Sequence, residues 1–142
     1  MEYWQRIGKN KTKKIPSVDI LFKKGLRHNA YLRGVGWKHA GLTSLARRYG
    51  FKKSKSYDLA GRKTDEAVKV LKRFLKLSPL IVSVFSGYKP KGGGHLPLLI
   101  SLTSQKAKLI DPAGKNRKSI IKILPSAKFL RAWKKRFIAI KP

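Results

Sequence analysis

The chain has 142 residues, enough for one domain with one core, and 42% of them are hydrophobic, so it is not a disordered tail. It has 35 Lys+Arg against 6 Asp+Glu, a formal net charge of +29, which destabilises a compact state unless anions relieve it. There is no cysteine, which excludes a disulfide framework, a thiolate metal site and a thiol nucleophile, and agrees with a cytoplasmic protein.

The start, Met1 to Gln5, has no apolar run of the signal-peptide kind. The longest apolar run, Leu80 to Phe85, is far too short to span a bilayer, so no membrane span is expected. Arg6 to Lys14 is basic and polar and reads as a loop. A helix follows Pro16, with Ser17 as its cap, Asp19 in its first turn, Val18, Leu21 and Phe22 as its apolar side, and Gly25 near its end. His28 to Gly36 reads as a connection. Trp37 to Tyr49 reads as a second helix, whose stripe is Leu42, Leu45, Ala46 and Tyr49, with Gly50 as the residue after its C-cap.

Phe51 to Leu59 fits a short strand. Thr64 to Leu77 fits a third helix, with Asp65 and Glu66 in its first turn and Ala67, Val70, Leu71, Phe74 and Leu75 on its apolar face. From Pro79 the period changes. Leu80 to Phe85 reads as a strand buried on both faces. Ser86 to Gly94 is a loop, and His95 to Leu102 is a strand interrupted by Pro97. Ala107 to Ile110 is a short strand that ends in the turn Asp111-Pro112-Ala113-Gly114. Ser119 to Leu124 fits another strand. Ser126 caps a short helix with Phe129, Leu130 and Trp133, and Phe137 to Ile140 closes the chain as a strand. Helices come first and a mostly antiparallel sheet second, an α+β pattern, with no internal repeat and no composition shift marking a domain boundary.

Two residues combine into possible chemistry. His95 follows three glycines and opens a strand; Asp111 ends the neighbouring strand. If the two strands pair as a hairpin, both side chains reach one end of the sheet, and an imidazole oriented by a carboxylate is the base half of a nucleophilic triad. The plainer alternative is a histidine that fills a turn and an Asp that caps an ordinary β-turn. His39 reads as a surface or packing histidine, and no second ligand stands at metal spacing from it. Lys91-Gly92-Gly93-Gly94 is glycine-rich but lacks the phosphate-loop spacing and leads into a strand, so no nucleotide or other cofactor is expected. Thr43 and Ser44 lie inside a helix and read as helix residues rather than nucleophiles.

Three stretches together make the chain similar to bacteriocin-processing-type cysteine peptidases, a papain-like family that cleaves after double-glycine leaders. They are Gly36-Trp37-Lys38-His39-Ala40-Gly41-Leu42 with Leu45-Ala46 and Tyr49-Gly50; Pro79 to Phe85 with Gly93-Gly94-His95-Leu96; and Ile110-Asp111-Pro112-Ala113 with Phe129-Leu130, Ala132-Trp133 and Phe137 to Ile140. The likeness runs from about Ser17 to the C-terminus. It implies a papain-like fold in which His95 matches the base and Asp111 its orienting carboxylate. The family's nucleophilic Cys and oxyanion Gln stand on a helix upstream of Ser17, and Met1 to Gln5 resembles only its last turn. The expectation is an N-terminally incomplete fold: a basic segment 1–16 and a peptidase-like domain 17–142.

Three functions fit these features: a degenerate, non-catalytic relative that acts as a basic binding protein; a fragment of an active cysteine peptidase whose Cys lies upstream of Met1, with a peptide substrate; or an RNA- or ribosome-associated basic protein. A polyanion is the partner the charge suggests.

Overall fold

The computed structural model describes residues 18–28, 30–32 and 36–142. The readings made for residues 1–17, including the cap at Ser17 and the helix remnant at Met1 to Gln5, lie outside the described residues, as do the side chains of Val18, Asp19, Leu21 and Phe22. The chain groups into two compact units, Met1–Ser56 with Ile140–Pro142, and Tyr57–Ala139.

In the first unit, α1 is Val18–Arg27, β1 is Tyr31–Leu32, β2 is Gly36–Trp37 and α2 is His39–Arg48. The expected connection thus contains a two-residue antiparallel ladder, Tyr31 opposite Trp37. Trp37 belongs to that ladder and not to the helix; its ring packs edge-on against Tyr31 at 5.3 Å. The end of α2 follows from Gly50. It takes φ of +95°, and the Gly50 N–H reaches Arg47 O while the Phe51 N–H reaches Ala46 O, the two bonds of a Schellman motif. Phe51 is therefore buried at a helix end, and β3 is only Lys55–Asp58.

In the second unit, α3 is Thr64–Leu75, β4 is Leu80–Phe85, β5 is Gly94–His95, β6 is Leu98–Leu102, β7 is Lys106–Ile110, α4 is Arg117–Ile120, β8 is Ile121–Pro125, α5 is Ser126–Ala132 and β9 is Trp133–Ala139. The fold is α+β. The main sheet has the order β3-β9-β4-β6-β7-β8, and β5 also pairs with β4. β4 pairs antiparallel with β5, β6 and β9, β6 with β7, and β7 with β8. Its core gathers Ala67 and Leu71 of α3, Leu80, Val82 and Val84 of β4, Leu99, Leu109, Phe129 and Phe137. Tyr57, Phe74 and Phe137 form an aromatic trio, with centroids 4.6, 4.9 and 5.4 Å apart. Leu77 falls beyond α3 and is 71% exposed, so the helix stops where its apolar face stops.

Three sequence expectations are corrected here. Residues 119–120 are helical and not strand: the Asn116 side chain accepts from the Ser119 N–H, and Ser119 Oγ accepts from the Asn116 N–H, both at 2.9 Å. This reciprocal cap holds the short helix α4. Ser126 does not cap α5; its hydroxyl donates to Ser104 O at 2.7 Å, and Pro125 occupies the cap position. The last strand begins at Trp133, four residues early. Its register against β4 jumps between Ser83–Arg136 and Val84–Trp133, and Lys135 in the bulge takes φ of +56°.

Candidate functional site

The site grows out of the way β4 organises the chain that follows it. β5 and β6 both lie antiparallel to β4 in a single register: Val84 faces His95, and Ile81 faces Leu98. Pro97 separates them because it has no N–H to give the ladder, yet its carbonyl still accepts from the Val82 N–H at 3.0 Å. Pro97 is thus fully buried inside the sheet, at the interruption the sequence marks in this strand. The β6–β7 hairpin puts Ile110 opposite Leu98. Asp111, the next residue, arrives beside the Pro97 break, at the same end of the sheet as His95.

The two side chains meet. His95 Nε2 lies 2.6 Å from Asp111 Oδ1. Asp111 is 4% exposed, while the His95 side chain keeps 21% of its surface in solvent. The carboxylate is well provided with donors: the Tyr88 hydroxyl reaches Oδ2 at 2.6 Å, and the Ala113 N–H reaches Oδ1 at 2.9 Å. Burial alone raises a carboxyl pKa, but the bonds from Tyr88, Ala113 and His95 outweigh it and hold Asp111 below its ordinary value. Burial, then the bond and charge of Asp111, push the Tyr88 phenol far up, so it stays a donor.

An ionised Asp111 has no proton to donate, so the hydrogen in the short contact sits on His95 Nε2. In the neutral ring this leaves the lone pair on Nδ1. Nδ1 has no hydrogen-bond partner among the described residues, and the ring sits edge-on to Tyr88 at 6.4 Å. A histidine held in one tautomer by a buried carboxylate, with its other nitrogen unbonded among the described residues, is equipped to take a proton from a nucleophile.

Tyr88 is the residue sequence reasoning missed. It belongs to a 3-10 turn, Ser86–Tyr88, inside the expected loop, and takes φ of +54° directly after Gly87 at +71°. The other residues weighed from sequence stay apart from this network. His39 opens α2 and accepts at its backbone carbonyl from the Thr43 hydroxyl at 2.7 Å, which accounts for Thr43 as a helix residue. Ser44 is exposed on the same helix. Gly92 to Gly94 form an open turn into β5 and do not precede a helix. Among the described residues no three His, Cys, Asp or Glu side chains gather as a metal would need.

No protein-family model matches the chain, and no curated protein matches it. Its structure resembles a solved structure described as a C39-like peptidase from Bacillus anthracis, with a TM-score of 0.53 and 20% sequence identity. The match covers 77% of this chain and 62% of that one, so the chain spans less than two thirds of its neighbour. The architecture is therefore that of a C39-like peptidase. No helix of the described residues is long and apolar enough to cross a membrane.

Proposed function

We propose that the chain is a peptidase-fold protein that keeps the base half of a cysteine peptidase site and, as this sequence stands, works by binding and not by thiol chemistry. The observation that carries this reading is the buried, donor-saturated Asp111 holding His95 in a chain without a single cysteine. On this reading the fold is papain-like, His95 is the relic base and Asp111 its orienting carboxylate. A lone imidazole has no partner nucleophile to activate.

The binding partner that the charge supports is a polyanion, with RNA as the first candidate. Basic residues are spread over loops, helices and strands: Arg47-Arg48, Lys52 to Lys55, Lys115 to Lys118 and Lys134 to Arg136. Each phosphate neutralised adds about −0.7 to the slope of log K against log salt on single strands. A protein making about six contacts to a single strand loses roughly 300-fold in affinity between ~50 and ~200 mM salt. Anisotropy with a fluorescent RNA over that salt series tests the reading. A flat salt dependence, or no binding at the lowest salt, rejects it.

The intact geometry favours a second reading, in which the imidazole serves a cysteine encoded upstream of Met1 and the substrate is a double-glycine leader peptide. Translating the DNA upstream of Met1 separates the two. An in-frame segment carrying Gln and Cys-Gly supports the peptidase; its absence leaves the binding protein.

A further inference from the structure

The His95–Asp111 pair keeps what proton abstraction needs and lacks what a thiol peptidase needs. Asp111 Oδ1 accepts the hydrogen on His95 Nε2, Nδ1 has no hydrogen-bond partner among the described residues, and the His95 side chain keeps 21% of its surface in solvent. The substrate this suits is one that carries its own nucleophile, so that the protein supplies only the base. The flanking chain sets the sign of that substrate's charge. Residues 86–94 lead into His95 and hold Lys89 and Lys91; residues 112–118 lead away from Asp111 and hold Lys115, Arg117 and Lys118; neither segment has an acid. Lys89, Lys91, Lys115 and Lys118 are exposed, while Asp111 is buried and bound by Tyr88, Ala113 and His95. The chain on either side of the pair is therefore positive where it meets solvent. It is also open next to His95, since a Cβ on Gly92 or Gly93 would meet nothing within 4 Å.

RNA meets both conditions. Its phosphates are drawn to the lysines, and each 2′-hydroxyl stands beside the phosphorus it can attack. We propose that His95 is the general base of an RNA transesterification site. His95 Nδ1 takes the proton of a 2′-hydroxyl, the O2′–P bond forms, and the P–O5′ bond breaks. The departing 5′-oxygen takes a proton from water, and the imidazolium returns its own proton to the hydroxide so formed. The products are a 2′,3′-cyclic phosphate and a 5′-hydroxyl; nothing is oxidised and no co-reactant is consumed. Attack has to be in line with the leaving oxygen, which a regular duplex prevents and an unpaired strand allows, so the substrate is single-stranded RNA. This rests on the polyanion reading of the charge and needs no cysteine.

The test uses the full chain, low salt and EDTA, with a fluorescent unpaired oligoribonucleotide and its all-deoxy counterpart. Anisotropy reads binding, and gels with end-group analysis read cleavage. The ribo strand is expected to yield 2′,3′-cyclic phosphate ends, and the deoxy strand to stay whole. His95→Ala and His95→Gln, purified in parallel and checked by melting temperature, are expected to bind RNA as the parent does and to cleave it about a hundredfold more slowly. Asp111→Asn, which no longer fixes the tautomer, is expected to lose rate at unchanged affinity. Equal cleavage by the parent and a folded His95→Gln overturns the proposal, as does scission of the deoxy strand or of RNA without cyclic phosphate ends. RNA that binds with a steep salt dependence and is not cut overturns the proposal and leaves the polyanion reading standing. RNA that does not bind at low salt overturns both.

Discussion

Tyr88 holds its phenol against Asp111 from a backbone conformation that a bulky non-glycine residue enters at a cost of about 1–3 kcal/mol. The bond it gains is to a charged acceptor and is stronger than a neutral one. Tyr88→Phe is expected to lower stability by about 1–2 kcal/mol and to raise the Asp111 pKa. Carboxyl-carbon NMR titration of the variant checks the direction; an unchanged or lower value contradicts the network. The pH dependence follows from the same residue. Asp111 titrates below its ordinary value of 3.8 when folded, so its stabilising contribution is complete above that value and is lost as pH falls through the folded pKa. Asp111→Asn is expected to flatten that acid limb in thermal melts taken below pH ~5. His95 and Asp111 were legible in the sequence because each ends or begins a strand, where position along the chain translates into position in space. Tyr88 was not: in a run of Ser, Gly, Lys and Pro, a loop tyrosine carries no periodicity that points it anywhere.

At the scale of elements, strands and helices with a continuous apolar period were readable. The apolar face of α3 and the run Leu80 to Phe85 stand as the sequence suggests. What failed was local. The stretch Trp133 to Arg136 hides a strand because a two-residue bulge breaks its alternation. The start of residues 119–124 hides a helix because its signal is the reciprocal bond of Asn116 with Ser119 and not an apolar stripe. The short helix adjoins the site, since the Asp111 N–H reaches Ile120 O, and the turn between them is closed by the Gly114 N–H on Asp111 O at 3.1 Å. A Cβ on Gly114 would run into the backbone of Ser119 and Ile120, which cannot swing aside as a side chain can. Gly114→Ala is expected to cost about 1–3 kcal/mol by overpacking, read from denaturant midpoints. Gly61→Ala, where a Cβ meets open space, is the control and is expected to stay within about 0.5 kcal/mol.

For the whole molecule, the net charge of +29 dominates. Of its six carboxylates, Asp111 is taken up in the site, and Asp58 is bonded to Arg136 at 3.0 Å on the surface. Like charges this numerous repel through solvent over distances that salt shortens, to about 10 Å at 0.1 M. The melting temperature is therefore expected to rise as sodium chloride increases from ~20 to ~200 mM, and to rise further with polyphosphate at equal ionic strength if a polyanion binds the folded state. A melting temperature indifferent to salt would mean that the charges lie too far apart to strain the fold.

The most direct measurement is peptide hydrolysis. The purified chain, incubated with double-glycine leader peptides and with generic peptide substrates, is expected to show no cleavage above buffer, and His95→Ala is expected to change nothing. Cleavage that disappears in His95→Ala would contradict the account, because it would mean that His95 already serves a serine or threonine nucleophile within these 142 residues.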